Sequence, residues 1–277
     1  MTIRTVFCID GSATNAKKRP LYRLDVTKAG PCISRCAGDR IVETLAGAAS
    51  SPDAPVLLLA DVPLGLPDQF PAVYTGNPSF LDWLDATHQR TKGVWRQMVA
   101  SGVAGQSPMT PFVENPTRGT KANGKFPKRR CDAKTSAESL YWCMGPRQVG
   151  KAALQFWFET LIPLRKKLEK DLAVWPFEST EGKKLIVAEC YPAILYSLAW
   201  GHKVVKTDPE QRVDCIAKLR ASQPTIADEL TFLHAVSTDD DFDMFTTALA
   251  WTKQEGDALA FPASAKPFEG WMAGLTP

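Results

Sequence analysis

Three short apolar runs in this chain each stop at a carboxylate. Val6-Phe7-Cys8-Ile9 ends at Asp10, Val56-Leu57-Leu58-Leu59-Ala60 at Asp61, and Leu185-Ile186-Val187-Ala188 at Glu189. Uninterrupted apolar runs of this length read as strands buried on both faces, the signature of an α/β sheet. Ligands of open α/β sheets bind beyond the carboxyl ends of the strands, so acids placed there converge on one crevice. Clustered carboxylates repel one another unless a cation stands between them, and a hard divalent ion such as Mg²⁺ takes oxygen ligands of this kind. Two such ions ~3.5–4 Å apart activate a water and stabilise the leaving oxygen of a phosphodiester. A plainer explanation competes at each position, since a strand-end Asp, as in Asp10-Gly11, also serves to shape a turn.

The remaining pattern fits an α/β fold. Residues 20–26 alternate as a second strand, and a third lies near 31–34. Helical patterns cover 39–49, 79–100, 148–173 (interrupted by Pro163), 192–200, 209–221, 225–236 and 241–254. Strands first, then strands alternating with helices, predict a mixed sheet with antiparallel first strands and helices on both faces. The chain between Asp61 and Glu189 is long and irregular, which predicts an elaboration over about 62–183 within a single domain of 277 residues.

A second group of acids, Asp239-Asp240-Asp241-Phe242-Asp243, opens the last helix. Acids in a first helical turn are favoured by capping and by the helix dipole, so Asp239 to Asp241 need no further explanation. Asp243 lies deeper. On a helix it shares a face with Asp240, so both side chains point at one site.

Charge is distributed unevenly. The net formal charge is only +3, yet residues 114–170 hold 13 Lys or Arg against five Asp or Glu. Within this stretch Arg118, Lys121, Lys125, Lys128, Arg129, Arg130 and Lys134 form a basic run suited to tracking a phosphate backbone, although a solvated loop has the same composition. Gly145 to Ala152 approximates a phosphate-binding loop, but its last position is Ala152, without a hydroxyl for Mg²⁺. As a helix N-terminus with Arg147 and Lys151 nearby, this segment is still a candidate phosphate contact.

Other classes are disfavoured. Seven scattered cysteines, with only Cys32 and Cys36 close together, give neither a disulfide framework nor a zinc spacing. His88, His202 and His234 have no ligand spacing, and no G-x-S-x-G elbow occurs. The first residues lack the pattern of a signal peptide, and no apolar stretch approaches the ~20 residues of a membrane span. A reduced, cytoplasmic, soluble protein is expected.

Asp10-Gly11 after a strand, ADVPLGLP at 60–67, AECYP at 188–192 and DDxxD at 239–243 together resemble the RNase H-like superfamily. More narrowly, GPRQVGKAAL (145–154), VWPFE (174–178), AECYP and EGWMAGL (269–275) resemble a bacterial domain-of-unknown-function family of predicted RNase H-like nucleases. The resemblance covers nearly the whole chain. It departs at Met244-Phe245, where small residues are usual, and in the length of the 62–183 elaboration.

It implies an RNase H-like α/β fold with a five-stranded mixed sheet, and hydrolysis of nucleic-acid phosphodiesters dependent on Mg²⁺ or Mn²⁺. Asp10 would bridge two ions, with Asp61, Glu189 and Asp243 completing their coordination and Asp240 as the alternate ligand. Lys and Arg from 118–134, with Arg147 and Lys151, would hold the nucleic acid. Two rival classes share this sheet: a non-catalytic module binding nucleic acid or protein, and an actin-like or P-loop-type phosphotransferase, for which Gly11 to Asn15 is a thin phosphate loop.

Overall fold

The computed structural model describes residues 3–11, 19–51, 55–68, 76–101, 112–114, 128–135, 137–141, 143, 148–254, 259 and 266–275. Strands β1 (Thr5–Asp10), β2 (Leu21–Thr27) and β3 (Gly30–Cys36) form an antiparallel meander, followed by helix α1 (Ile41–Ala49) and strand β4 (Val56–Asp61). Helix α2 (Phe80–Arg90) leads to a small parallel pair, β5 (Val99–Ser101) and β6 (Phe112–Glu114). Helices α3 (Arg130–Lys134), α4 (Val149–Phe156) and α5 (Ile162–Leu168) precede β7 (Leu172–Val174) and β8 (Leu185–Glu189). Four helices close the order: α6 (Pro192–Trp200), α7 (Pro209–Ser222), α8 (Glu229–Ser237) and α9 (Asp239–Thr252).

The main sheet runs β3-β2-β1-β4-β8-β7, with β1, β4, β8 and β7 mutually parallel. Among the described residues it has six strands where five are expected. The sixth is β7, at the end of a segment that reads as helix through residue 173. The helix ends earlier because the chain turns at Glu169, whose φ is 46°, and Leu172–Val174 then pair with the edge of β8. Pro163 also leaves its mark, since a π-helical turn over Trp157–Leu161 joins α4 to α5 just before it. A proline cannot donate to the preceding turn, and a wider turn accommodates the missing bond.

Helices cover both faces. Phe7, Ile9, Leu58, Ala60 and Val187 pack under α1, α2, α4 and α5. Val6, Cys8, Leu57, Leu59, Ile186 and Ala188 pack under α6 to α9. Apolar surface on both sides explains why the central strands show no alternation in sequence.

Helix α9 is buried from Asp241 through Ala250 and lies against β1, β2 and β3. Its N-terminus is capped by Thr238, whose Oγ1 accepts from the Asp241 amide at 2.9 Å. The Asp241 carboxylate in turn accepts from Arg35 Nε at 2.8 Å and the Tyr22 hydroxyl at 3.1 Å, tying the helix to the meander. Among the described residues no helix is long and apolar enough to cross a membrane.

Candidate active site

Strand register decides where the acids point. Asp10 and Asp61 are direct partners across β1 and β4, whereas Glu189 on β8 is opposite Ala60. Side chains alternate along a strand, so a register offset of one residue changes face. Asp10 and Asp61 therefore continue the face that packs on α9, and Glu189 continues the face under α4 and α5. Gly11 keeps the first two strand ends together, because a Cβ there would lie 1.8 Å from Val62 Cγ1.

Asp240 and Asp243, three residues apart on α9, supply the facing wall. Asp10, Asp61, Glu189, Asp240 and Asp243 all border one cleft of about 420 Å³, together with Asp132 and Glu138. Among the described residues lining it, Lys206 is the single Lys or Arg.

The acids facing α9 carry more negative charge than their surroundings neutralise. Burial, then Asp10 and Asp243, push Asp61 well above the usual carboxylate range, with Lys206 acting in the opposite direction. Asp240 is pushed up to about 7 by burial and by Asp10 and Asp239, again against Lys206. Burial raises Asp243 as well, although Lys206 and Tyr196 stabilise its anion. The Tyr196 hydroxyl donates to Asp243 Oδ1 at 2.5 Å, and Lys206 Nζ donates to Oδ2. Burial opposes the charge on Lys206, but Asp243, Asp61 and Asp239 hold its pKa above the ordinary lysine value.

Glu189 has a different environment. Arg129 Nη2 and Nη1 donate to its Oε1 and Oε2, each at 2.6 Å, and the Leu64 amide donates to Oε2 at 2.7 Å. The same guanidinium bonds Asp132 through Nε at 2.9 Å and Nη2 at 2.6 Å. Burial alone raises Glu189, and although Arg129 lowers it, the balance stands at about 7. Burial also disfavours the Arg129 cation, but Asp132 and Glu189 override it and keep the guanidinium charged. Glu189 thus binds Arg129 and the loop after β4 while lining the cleft.

The expected phosphate-binding residues are only partly within view. Arg118, Lys121, Lys125 and Arg147 lie outside the described residues. Arg129 is fully buried, with its donors committed to Asp132, Glu189 and the Leu64 carbonyl, which corrects the expectation that it meets substrate. Its neighbours also have internal partners. Lys128 donates to the Ala137 carbonyl at 2.6 Å, Arg130 pairs with Glu269, and Lys134 Nζ sits 5.4 Å above the Trp271 ring. The last two contacts fold the α3 segment onto residues near the C-terminal end of the described chain. Gln148, Val149 and Ala152 bring the start of α4 to the cleft, with Lys151 in its first turn. Gly150 is closely packed, since a Cβ there would lie 2.2 Å from the Leu140 carbonyl oxygen.

Sequence reasoning missed Lys206, Tyr196, Asp132 and Glu138. Lys206 has no strong sequence signal, being one of two lysines in Lys203-Val204-Val205-Lys206 between helices. Asp132 had one, because an acid three residues after Arg129 in a basic run suggests a local ion pair.

The donor set fits a hard divalent cation in chemistry and in charge: oxygen ligands, buried, with one lysine among Asp10, Asp61, Asp240 and Asp243. Among the described residues, no three His, Cys, Asp or Glu side chains are gathered closely enough to hold one ion without rearrangement. In comparisons with known proteins, the chain matches no family model, no curated protein and no solved structure.

Proposed function

We propose that this chain is an RNase H-like, divalent-metal-dependent hydrolase of nucleic-acid phosphodiesters, working at the cleft beyond β1 and β4. One observation carries the reading: Asp10 and Asp61, paired at the ends of adjacent parallel strands, face Asp240 and Asp243 across a cleft whose described lining holds Lys206 as its single Lys or Arg, with the buried Arg19 acting on Asp10 from outside that lining. Such an excess of buried negative charge is costly and favours a bound cation. Asp10, Asp61 and Asp240 would hold Mg²⁺ or Mn²⁺, with Asp243 joining once Lys206 releases it. When bound there, a divalent ion would supply the positive charge that polarises a phosphoryl oxygen and acidifies water.

The protein's own residues do the rest. The start of α4, whose Gln148, Val149 and Ala152 line the cleft, brings the positive end of a helix dipole to its wall, where an anionic phosphate is favoured. Glu189 and Arg129 act from behind, fixing the 62–67 loop that forms part of the cleft wall.

The test is an incubation of purified protein with labelled single- and double-stranded DNA, RNA and an RNA–DNA hybrid, in Mg²⁺, Mn²⁺ or EDTA, beside Asp10→Asn. Cleavage that requires metal and disappears in Asp10→Asn is the expected result. Metal-independent binding without cleavage, unchanged in the variant, would replace the reading with a recognition module. Neither cleavage nor binding would remove nucleic acid as the substrate.

A further inference from the structure

We infer that Lys206 is a tethered counter-ion of the acidic cleft, which a divalent cation must displace from Asp243 in order to bind. The inference rests on the cation-binding reading above and concerns what occupies the acids in the metal-free protein.

The anchoring of Lys206 is asymmetric. Its main chain is fixed between α6 and α7, since Arg212 Nη1 donates to its carbonyl at 2.6 Å and Gln211 Oε1 accepts from the preceding Val205 amide at 3.0 Å. Its side chain, by contrast, remains 40% exposed while its ammonium reaches Asp243, which is 5% exposed. The head group therefore has a path to solvent that needs no backbone movement. A lysine ammonium is a compact point charge on a flexible stem, closer to a bare cation than the flat, forked guanidinium of arginine.

The alternatives to displacement are unfavourable. Asp243 Oδ1 accepts from Tyr196 and Oδ2 from Lys206, so each oxygen already serves one donor in the metal-free protein. A divalent ion beside a retained ammonium would also meet like-charge repulsion at short range. With the ammonium withdrawn, Asp243 Oδ2 would lose this donor while lining the same cleft as Asp10, Asp61 and Asp240. Lys206 thus stabilises the empty cleft and sets the concentration at which a metal fills it.

Isothermal titration of Mn²⁺ into wild type, Lys206→Met, Lys206→Gln and Lys206→Arg tests this, with thermal unfolding of each protein with and without the ion. The neutral variants should bind Mn²⁺ about tenfold or more tightly than wild type, the scale of removing one like charge from a partly buried site. Lys206→Arg should stay near wild type. Without metal the neutral variants should melt lower than wild type, and saturating Mn²⁺ should close the gap. Binding by the neutral variants alone would also support displacement. Wild-type binding with equal or weaker binding in both neutral variants would overturn the role of Lys206 and leave the metal site standing. Absence of binding in all four proteins would overturn the cation reading itself. Two neutral replacements keep the result readable if one of them folds poorly.

Discussion

Arg129 grips Glu189 through two parallel hydrogen bonds of 2.6 Å, and both side chains are almost entirely excluded from solvent. The guanidinium also holds Asp132, so one cation serves two buried acids. Removing it strands both. Arg129→Met should cost about 3–5 kcal/mol, the usual penalty for breaking a buried pair from one side. Denaturant unfolding checks this. Glu189→Gln, which keeps the shape and leaves Arg129 with Asp132, should cost less. A double variant, Arg129→Met with Glu189→Gln, should cost less than the sum of the two, because the pair is coupled.

The acids facing α9 should behave in the opposite way. Asp61 is buried among like charges, so its anion is a burden in the metal-free protein. Asp61→Asn should raise metal-free stability by on the order of 1 kcal/mol while removing metal-dependent activity, the trade expected where function keeps a strained charge. A lower melting temperature for Asp61→Asn would contradict this.

A pH dependence follows from Asp240 and Glu189, each held at about 7 in the folded chain. In the unfolded chain both titrate near ~4. Between these values the native state binds more protons than the unfolded state, so stability falls as pH rises. The contribution is fully present below about pH 4 and is lost as pH climbs through about 7. Metal-free melting temperatures measured from acid to mildly alkaline pH should decline, less steeply in Asp240→Asn. Mn²⁺ should restore most at the alkaline end. A metal-free melting temperature that rises over this range would refute the assignment.

Gly11 offers a steric test. An alanine Cβ at this position would overlap Val62 Cγ1. Gly11→Ala should cost about 1–3 kcal/mol through overpacking. Trimming the partner with Val62→Ala should recover part of that loss in unfolding measurements.

Much of this architecture was legible in the sequence, and the limits have physical causes. The strand ends at Asp10, Asp61 and Glu189 were visible because each apolar run stops at a charge. Their division between two faces was hidden, because strands buried on both sides carry no alternation from which to read register. The sequence marks Asp241 as a first-turn acid, and it does take part in the cap. Its pairing with Arg35 depends on how α9 lies over β3, which no local pattern encodes. Arg129 looked like part of a solvent-facing basic run, since composition does not distinguish a solvated arginine from a buried one. Lys206 lay outside every motif, and its importance arises from the fold that delivers it to Asp243.

The aromatic packing beneath α9 has one more consequence. Asp10 and Asp61 are carried by the sheet, and Asp240 and Asp243 by the helix, so helix–sheet spacing fixes the gap between the two pairs. Phe245 fills that spacing, edge-on to Tyr22 at 6.0 Å and beside Phe232 at 6.1 Å between ring centres. For the cation site proposed above, such a gauge would make ionic radius a matter of core volume: a thinner residue at 245 would let the helix settle and narrow the jaws, and a thicker one would widen them. Preference between a small and a large divalent ion would then be tuned from the hydrophobic interior, with every carboxylate left in place.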